Sequence, residues 1–168
     1  MKHANIPKGS FYNYFSSKEE FAIAIIDKFV EQLDGIMLDV LEDTSYKPLE
    51  RIKHCFEKYI EIVETNNCNG GCLIANLSLE LADNSEPIRQ RLEDAWQNWA
   101  KAFSRVILEA QKENTISTDM NPEMLAENMI TSYEGALIRA KVKKSTEPLK
   151  SFMHLYFDKF LTQLEEKI

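Results

Sequence analysis

The sequence predicts an all-α protein. Apolar residues recur at three- and four-residue spacing through most of the chain, and few segments alternate as a strand would. Helix-start signals also repeat, with Ser, Thr or Asn standing one or two residues before Pro87, Pro122 and Pro148. With 168 residues and 44% hydrophobic residues, the chain has ample material for one core.

The elements follow in order. Pro7 suits the first turn of a short helix in which Phe11 and Phe15, spaced i, i+4, share a buried face. Lys8, Ser10, Tyr12, Asn13 and Tyr14 then project outward as hydrogen-bonding groups. Ser17 and Glu20 form a capping box for a long helix to about Leu41, with Phe21, Ile25, Phe29, Leu33, Ile36, Met37 and Val40 on its apolar side. Pro48 opens a helix carrying Leu49, Ile52, Phe56, Tyr59, Ile60 and Val63 and ending before Asn66. Cys68-Asn69-Gly70-Gly71 breaks the chain, and a helix from near Cys72 runs to Asp83.

Ser85 caps the next helix, whose stripe of Ile88, Leu92, Trp96, Trp99, Phe103, Val106 and Ile107 continues to about Glu113. Asn121 and Pro122 open a helix to about Lys144, and Ser145 or Thr146 with Pro148 opens the last, expected to reach about Lys167. That last helix carries Leu149, Phe152, Met153, Tyr156, Phe157, Phe160, Leu161 and Leu164, more apolar surface than one neighbouring helix covers. A second surface follows, and a homodimer through the last two helices is expected, which Phe157→Glu or Leu161→Glu should weaken if those residues are central.

The formal net charge is −7, which excludes a protein coated in phosphate-seeking charge. Its distribution is uneven: Met1 to Lys18 holds Lys2, His3, Lys8 and Lys18 and no acidic residue, whereas Glu19, Glu20, Asp27, Glu31, Asp34, Asp39, Glu42 and Asp43 follow at once. A basic tip on an acidic body suits a binder that avoids casual contact with DNA. No signal peptide or membrane-length apolar run is visible, so a cytoplasmic protein without a membrane partner is expected. Cys55, Cys68 and Cys72 are then thiols.

The segment Pro7-Lys8-Gly9-Ser10-Phe11-Tyr12-Asn13-Tyr14-Phe15, followed by Ser17-Lys18-Glu19, resembles the end of the helix-turn-helix in the TetR family of repressors. The resemblance implies a TetR-like fold, double-stranded operator DNA as partner, a small-molecule or electrophile inducer, and a homodimer through the last two helices. It implies DNA contacts from Lys8, Ser10, Tyr12, Asn13, Tyr14 and Lys18, with Tyr12, Tyr14 and Lys18 on phosphates and Ser10 and Asn13 nearer the bases. A family member carries two helices before this point, where this chain has only Met1 to Asn5. Residues 1–16 are therefore expected to be a remnant of the DNA-binding domain, and 17–168 the ligand-sensing and dimerisation domain. Met1 is either an internal methionine or the start of a shortened relative, and weak operator binding by the 168-residue chain is expected in both cases. The alternative function is a helical ligand-binding or dimerisation protein that does not bind DNA.

Two further segments, Asn69 to Asp83 and Ala140 to Leu149, resemble the NemR-like branch of that family, which answers to electrophiles and oxidants. The sensor expected on that basis is Cys72, with Cys68 as resolving thiol and Lys141 as partner for an oxidised sulfur. Helix geometry argues the same way, since a thiol at a helix start is stabilised as thiolate by the dipole and free N–H groups. A conventional ligand pocket is expected from Phe56, Tyr59, Trp96, Trp99, Phe103 and Tyr133, with Asn76 or Glu80 as polar anchors.

No cofactor is expected, and no metal. Adjacent His54 and Cys55 point about 100° apart on a helix, and no second close pair completes a site with Cys68 and Cys72. Enzymatic readings lack a phosphate loop or nucleophile elbow, and His3 and His154 have no evident catalytic partner.

Overall fold

The computed structural model describes residues 11–161, and within them the regular elements are all helical. They are α1 (Lys18–Leu41), α2 (Pro48–Thr65), α3 (Leu73–Leu81), α4 (Glu86–Lys112), α5 (Pro122–Lys143) and α6 (Glu147–Leu155), the last continuing as a wider π-helical turn, Tyr156–Phe160.

The helix starts follow their capping chemistry. Ser17 Oγ accepts from the Glu20 N–H at 3.0 Å, and Ser85 Oγ accepts from that of Ile88 at 3.3 Å. Asn121 Oδ1 accepts from the N–H groups of both Glu123 and Met124, so two otherwise orphaned donors are satisfied at once. The return half of the expected Ser17 capping box is displaced by one residue: Glu20 accepts from the N–H and hydroxyl of Ser16, each at 2.6 Å. Lys144 ends α5 in a left-handed conformation (φ 53°).

The long α4 is the axis of the molecule, packed by α1, α2, α3 and α5, with α6 closing against α5 and α2. Ile26, Val30, Met37 and Leu41 of α1 meet Ile52, Phe56 and Ile60 of α2 and Trp99, Phe103, Val106 and Ile107 of α4 in one continuous core. Arg51 is buried in it. Its Nη1 donates to the Leu41 carbonyl at 2.7 Å and its Nη2 pairs with Glu109, tying the end of α1 to α2 and α4.

The last helix differs from its expected form. Regular α geometry stops at Leu155, and the run toward Lys167, including Leu164, lies outside the described residues. Leu161 is buried within the chain, and Phe157 packs 6.2 Å from the Phe56 ring. Leu161 therefore faces the molecule's own core, which removes it from the centre of an interface, while Phe157 is half-buried against that core. The apolar residues left exposed in this region are Met124, Ile138 and Val142 of α5 with Leu155 and Phe160.

Candidate functional site

Between α1, α2, α4 and α5 lies a cavity of about 200 Å3. Phe29, Leu33 and Met37 of α1 form one wall, Phe56, Tyr59, Ile62 and Val63 of α2 a second, and Trp99 and Phe103 of α4 a third. Ile130, Tyr133, Glu134 and Leu137 of α5 complete it, with Asn66, Asn69, Gly71 and Cys72 of the α2–α3 connection at one end. Helical spacing explains the aromatic lining: Trp99 and Phe103 are i, i+4 on α4, and Phe56, Tyr59 and Val63 lie on one face of α2.

The connection is held by unusual backbone. Asn67 and Cys68 (φ 52° and 55°) and Gly70 and Gly71 (φ 81° and 80°) all lie in the left-handed region, and only the two glycines do so without steric cost. This tight turn delivers Cys72 to the N-cap of α3. Asn76, expected as a ligand anchor, instead donates from Nδ2 to the Gly70 carbonyl at 3.1 Å and steadies that turn. Asn76 and Trp96 both lie outside the cavity lining. Trp96 is turned to the other side of α4, where its Nε1 donates to Ser78 Oγ at 3.3 Å. Of the expected pocket residues, Phe56, Tyr59, Trp99, Phe103 and Tyr133 are brought together.

Glu134 is the ionisable residue that sequence reasoning missed. Its Oε2 is shut off from solvent with no hydrogen-bond partner, and burial pushes its carboxyl from 4.5 up to about 7, only partly offset by a hydrogen bond with the Cys72 thiol. The signal was present, because Glu134 follows Ile130 by four and precedes Leu137 by three, which puts a carboxylate on the apolar face of α5.

Cys72 itself departs from the expected acidic thiol. Hydrogen bonds from the N–H groups of Ala75 and Ile74 favour the thiolate as anticipated. Burial and the neighbouring Glu134 charge outweigh them and push the thiol up to about 12. Cys68, expected to be accessible, is buried at 5% exposure. Cys55 is fully buried and likewise pushed up to about 12 by that burial. Lys141 lies two turns beyond Glu134 on α5, exposed, with its stem close to Gly71. No group of three or more His, Cys, Asp or Glu placed to hold a metal occurs among the described residues.

At the other end of α1, the rings of Phe11, Phe15 and Phe21 pack at 4.9–5.5 Å between centroids, fastening the N-terminal segment to the helix. Tyr12, Asn13, Tyr14 and Lys18 are exposed there, as the DNA-facing expectation requires, while Lys8 and Ser10 lie outside the described residues. Ser85 Oγ donates to Glu19 at 2.5 Å and joins this end of α1 to the start of α4. One helix therefore packs against the exposed tyrosine segment at its start and forms a cavity wall in its second half.

The described residues thus form an all-helical body with a half-open cavity, joined by one helix to a compact aromatic N-terminal segment. Residues 48–156 match the family described as "Tetracyclin repressor-like, C-terminal domain". The transcriptional repressor DhaR of Mycobacterium sp. (strain GP1) is 36% identical over 162 residues, covering 96% of this chain and 80% of that protein. The transcriptional regulator AcuR of Cereibacter sphaeroides is 31% identical over 166 residues, covering 99% and 76%. Among solved structures, a regulatory protein TetR from Rhodobacter sphaeroides superposes with a TM-score of 0.87 at 31% identity, covering 92% of this chain and 82% of the other. Escherichia coli NemR in its reduced form gives 0.77 at 25% identity, covering 94% and 82%. The chain belongs to the TetR family of transcriptional regulators.

Proposed function

We propose that this protein is a transcriptional repressor that releases operator DNA when a small molecule occupies the cavity of its helical body. The observation that carries this reading is the position of α1, whose Phe29, Leu33 and Met37 line the cavity while Phe21 in its first turn packs on Phe11 and Phe15 of the preceding segment that exposes Tyr12, Asn13 and Tyr14. A ligand that fits better when α1 is displaced would shift the protein toward a form with lower DNA affinity, and only that differential fit supplies the free energy. Non-covalent occupancy stands ahead of thiol modification here, because burial and Glu134 hold Cys72 as the protonated, poorly nucleophilic thiol.

Fluorescence anisotropy of a duplex from the protein's own promoter, with the chain preceded by the two helices that a family member carries, tests the coupling. A saturating cavity ligand is expected to weaken the DNA complex by at least about fivefold, the lower end of ordinary allosteric coupling. Leu33→Trp, which fills the cavity from α1, is expected to bind the duplex and lose that response. DNA affinity that stays constant while the cavity is saturated would contradict the reading.

The same reading includes a homodimer. Met124, Thr131, Gly135, Ile138 and Val142 are exposed along one stripe of α5, and Leu155 and Phe160 extend the apolar surface from the last helical segment. A Cβ added at Gly135 would meet no atom within 4 Å, leaving room for close approach of a second helix. Val142→Glu is expected to convert a dimer into a monomer at micromolar concentration by light scattering, with helicity retained because Val142 is 70% exposed within the chain. An unchanged mass would place the interface elsewhere.

A further inference from the structure

We infer that the cavity takes a small organic cation, a protonated amine on a compact apolar body, whose ammonium group donates to the unpartnered Oε2 of Glu134. The inference rests on the reading of the cavity as the ligand site.

The hydrogen-bonding state of the lining selects this chemistry. Its donors are already committed where the structure shows their partners: Trp99 Nε1 donates to Asp34 at 2.8 Å, and the Cys72 thiol hydrogen-bonds with Glu134. Asn69 Oδ1 accepts from Lys144 at 2.6 Å. Among the side-chain atoms of the lining that are shut off from solvent, Glu134 Oε2 is the one left without a partner, and a ligand that brings a donor satisfies it. No Lys, Arg or His lines the cavity, which leaves an anionic ligand without a counter-charge. A cation gains both a charge-assisted hydrogen bond to Glu134 and the rings of Phe56, Tyr59, Trp99, Phe103 and Tyr133 around its body. The volume of about 200 Å3 keeps that body small.

This assignment has a pH signature. Around Glu134, the α2–α3 connection contributes Cys72 and α5 contributes Tyr133, and Tyr59 and Cys55 of α2 lie next to Tyr133. All four are neutral near pH 7, because burial holds each above its ordinary value. Asp34 of α1 lies across the cavity on Trp99, α4 presents no ionisable side chain to the lining, and Lys141 of α5 is exposed over Gly71. Glu134 therefore dominates the titration near pH 7. A cation binds its ionised form, so affinity rises with pH. A neutral acceptor or a carboxylate binds the protonated form, so affinity falls.

The test is calorimetric titration of the full chain with benzylamine, benzyl alcohol and benzoate at pH 6, 7 and 8. Benzylamine is expected to bind in preference to the other two, with an affinity that rises about tenfold from pH 6 to pH 8 as Glu134 ionises. Glu134→Gln is expected to weaken benzylamine by about tenfold or more at pH 8 and to abolish the slope, leaving benzyl alcohol within about twofold. Benzyl alcohol or benzoate binding as tightly as benzylamine, or an affinity that rises as pH falls, would overturn the cation assignment and leave the cavity reading standing. Binding of none of the three would overturn both. The wild-type pH slope needs no variant and decides the matter even if the substitution perturbs folding.

Discussion

Phe56→Ala is expected to destabilise the protein by about 4 kcal/mol and lower Tm by about 8–16 °C. Phe56 is 2% exposed, and its ring lies 5.2 Å from that of Phe103 in a stacked pair, 5.0 Å from Tyr133 and 5.1 Å from Phe152. It is the point where α2, α4, α5 and α6 meet. Truncation loses the transfer free energy of the ring and merges the void with the existing cavity, whose walls have little freedom to collapse. Ile62→Ala on the same helix, with Ile62 39% exposed, should cost less than about 1 kcal/mol. Urea unfolding of the two variants measures the contrast. Similar midpoints for both would show that the aromatic cluster is not the structural centre.

Glu134→Gln is expected to act in the opposite direction, and only at higher pH. Burial raises the folded carboxyl from 4.5 to about 7, so the folded state binds a proton that the unfolded state has released between those values. Stability contributed by this residue therefore falls as pH rises from 4.5 to about 7 and is fully lost above it, by about 3 kcal/mol. Glutamine keeps the shape and removes the charge, though it still buries an amide. The variant should match wild type near pH 5 and exceed it by about 2 kcal/mol at pH 8, or about 4–8 °C in Tm. A variant less stable than wild type at pH 8 would mean that the Glu134 carboxylate is satisfied in the folded protein.

Helix starts were legible because they rest on local chemistry: Ser17, Ser85 and Asn121 cap where a hydroxyl or amide can reach the first free N–H groups, and Pro87 and Pro122 lie in the first turns that follow. The aromatic wall was legible for the same reason, since spacing alone puts Trp99 and Phe103 on one face. Which face each neighbour takes was harder to read. Trp96 precedes Trp99 by three residues, yet their rings meet edge-on at 5.3 Å and Trp96 turns outward to Ser78. Asn76 looked like an anchor because it is polar beside an apolar run, but the Gly70 carbonyl claims it first. The Cys72 expectation failed on magnitude: the helix-start N–H groups are there, and the burial and carboxylate set against them depend on tertiary packing. Glu134 was overlooked because charged residues on a helix are ordinarily solvated, and only the surrounding walls show that this one is not.

The Glu134 carboxyl is the centre of both the cavity and the proposed recognition, so its direct titration is the sharpest test. Carbon-13 NMR of the glutamate side-chain carboxyls, with Glu134 assigned by its loss in Glu134→Gln, should show it titrating near 7 in the free protein and well below that with benzylamine bound. A Glu134 that titrates in the ordinary carboxylate range in the free protein, or one that benzylamine leaves unmoved, would contradict the assignment of this cavity as a cation site.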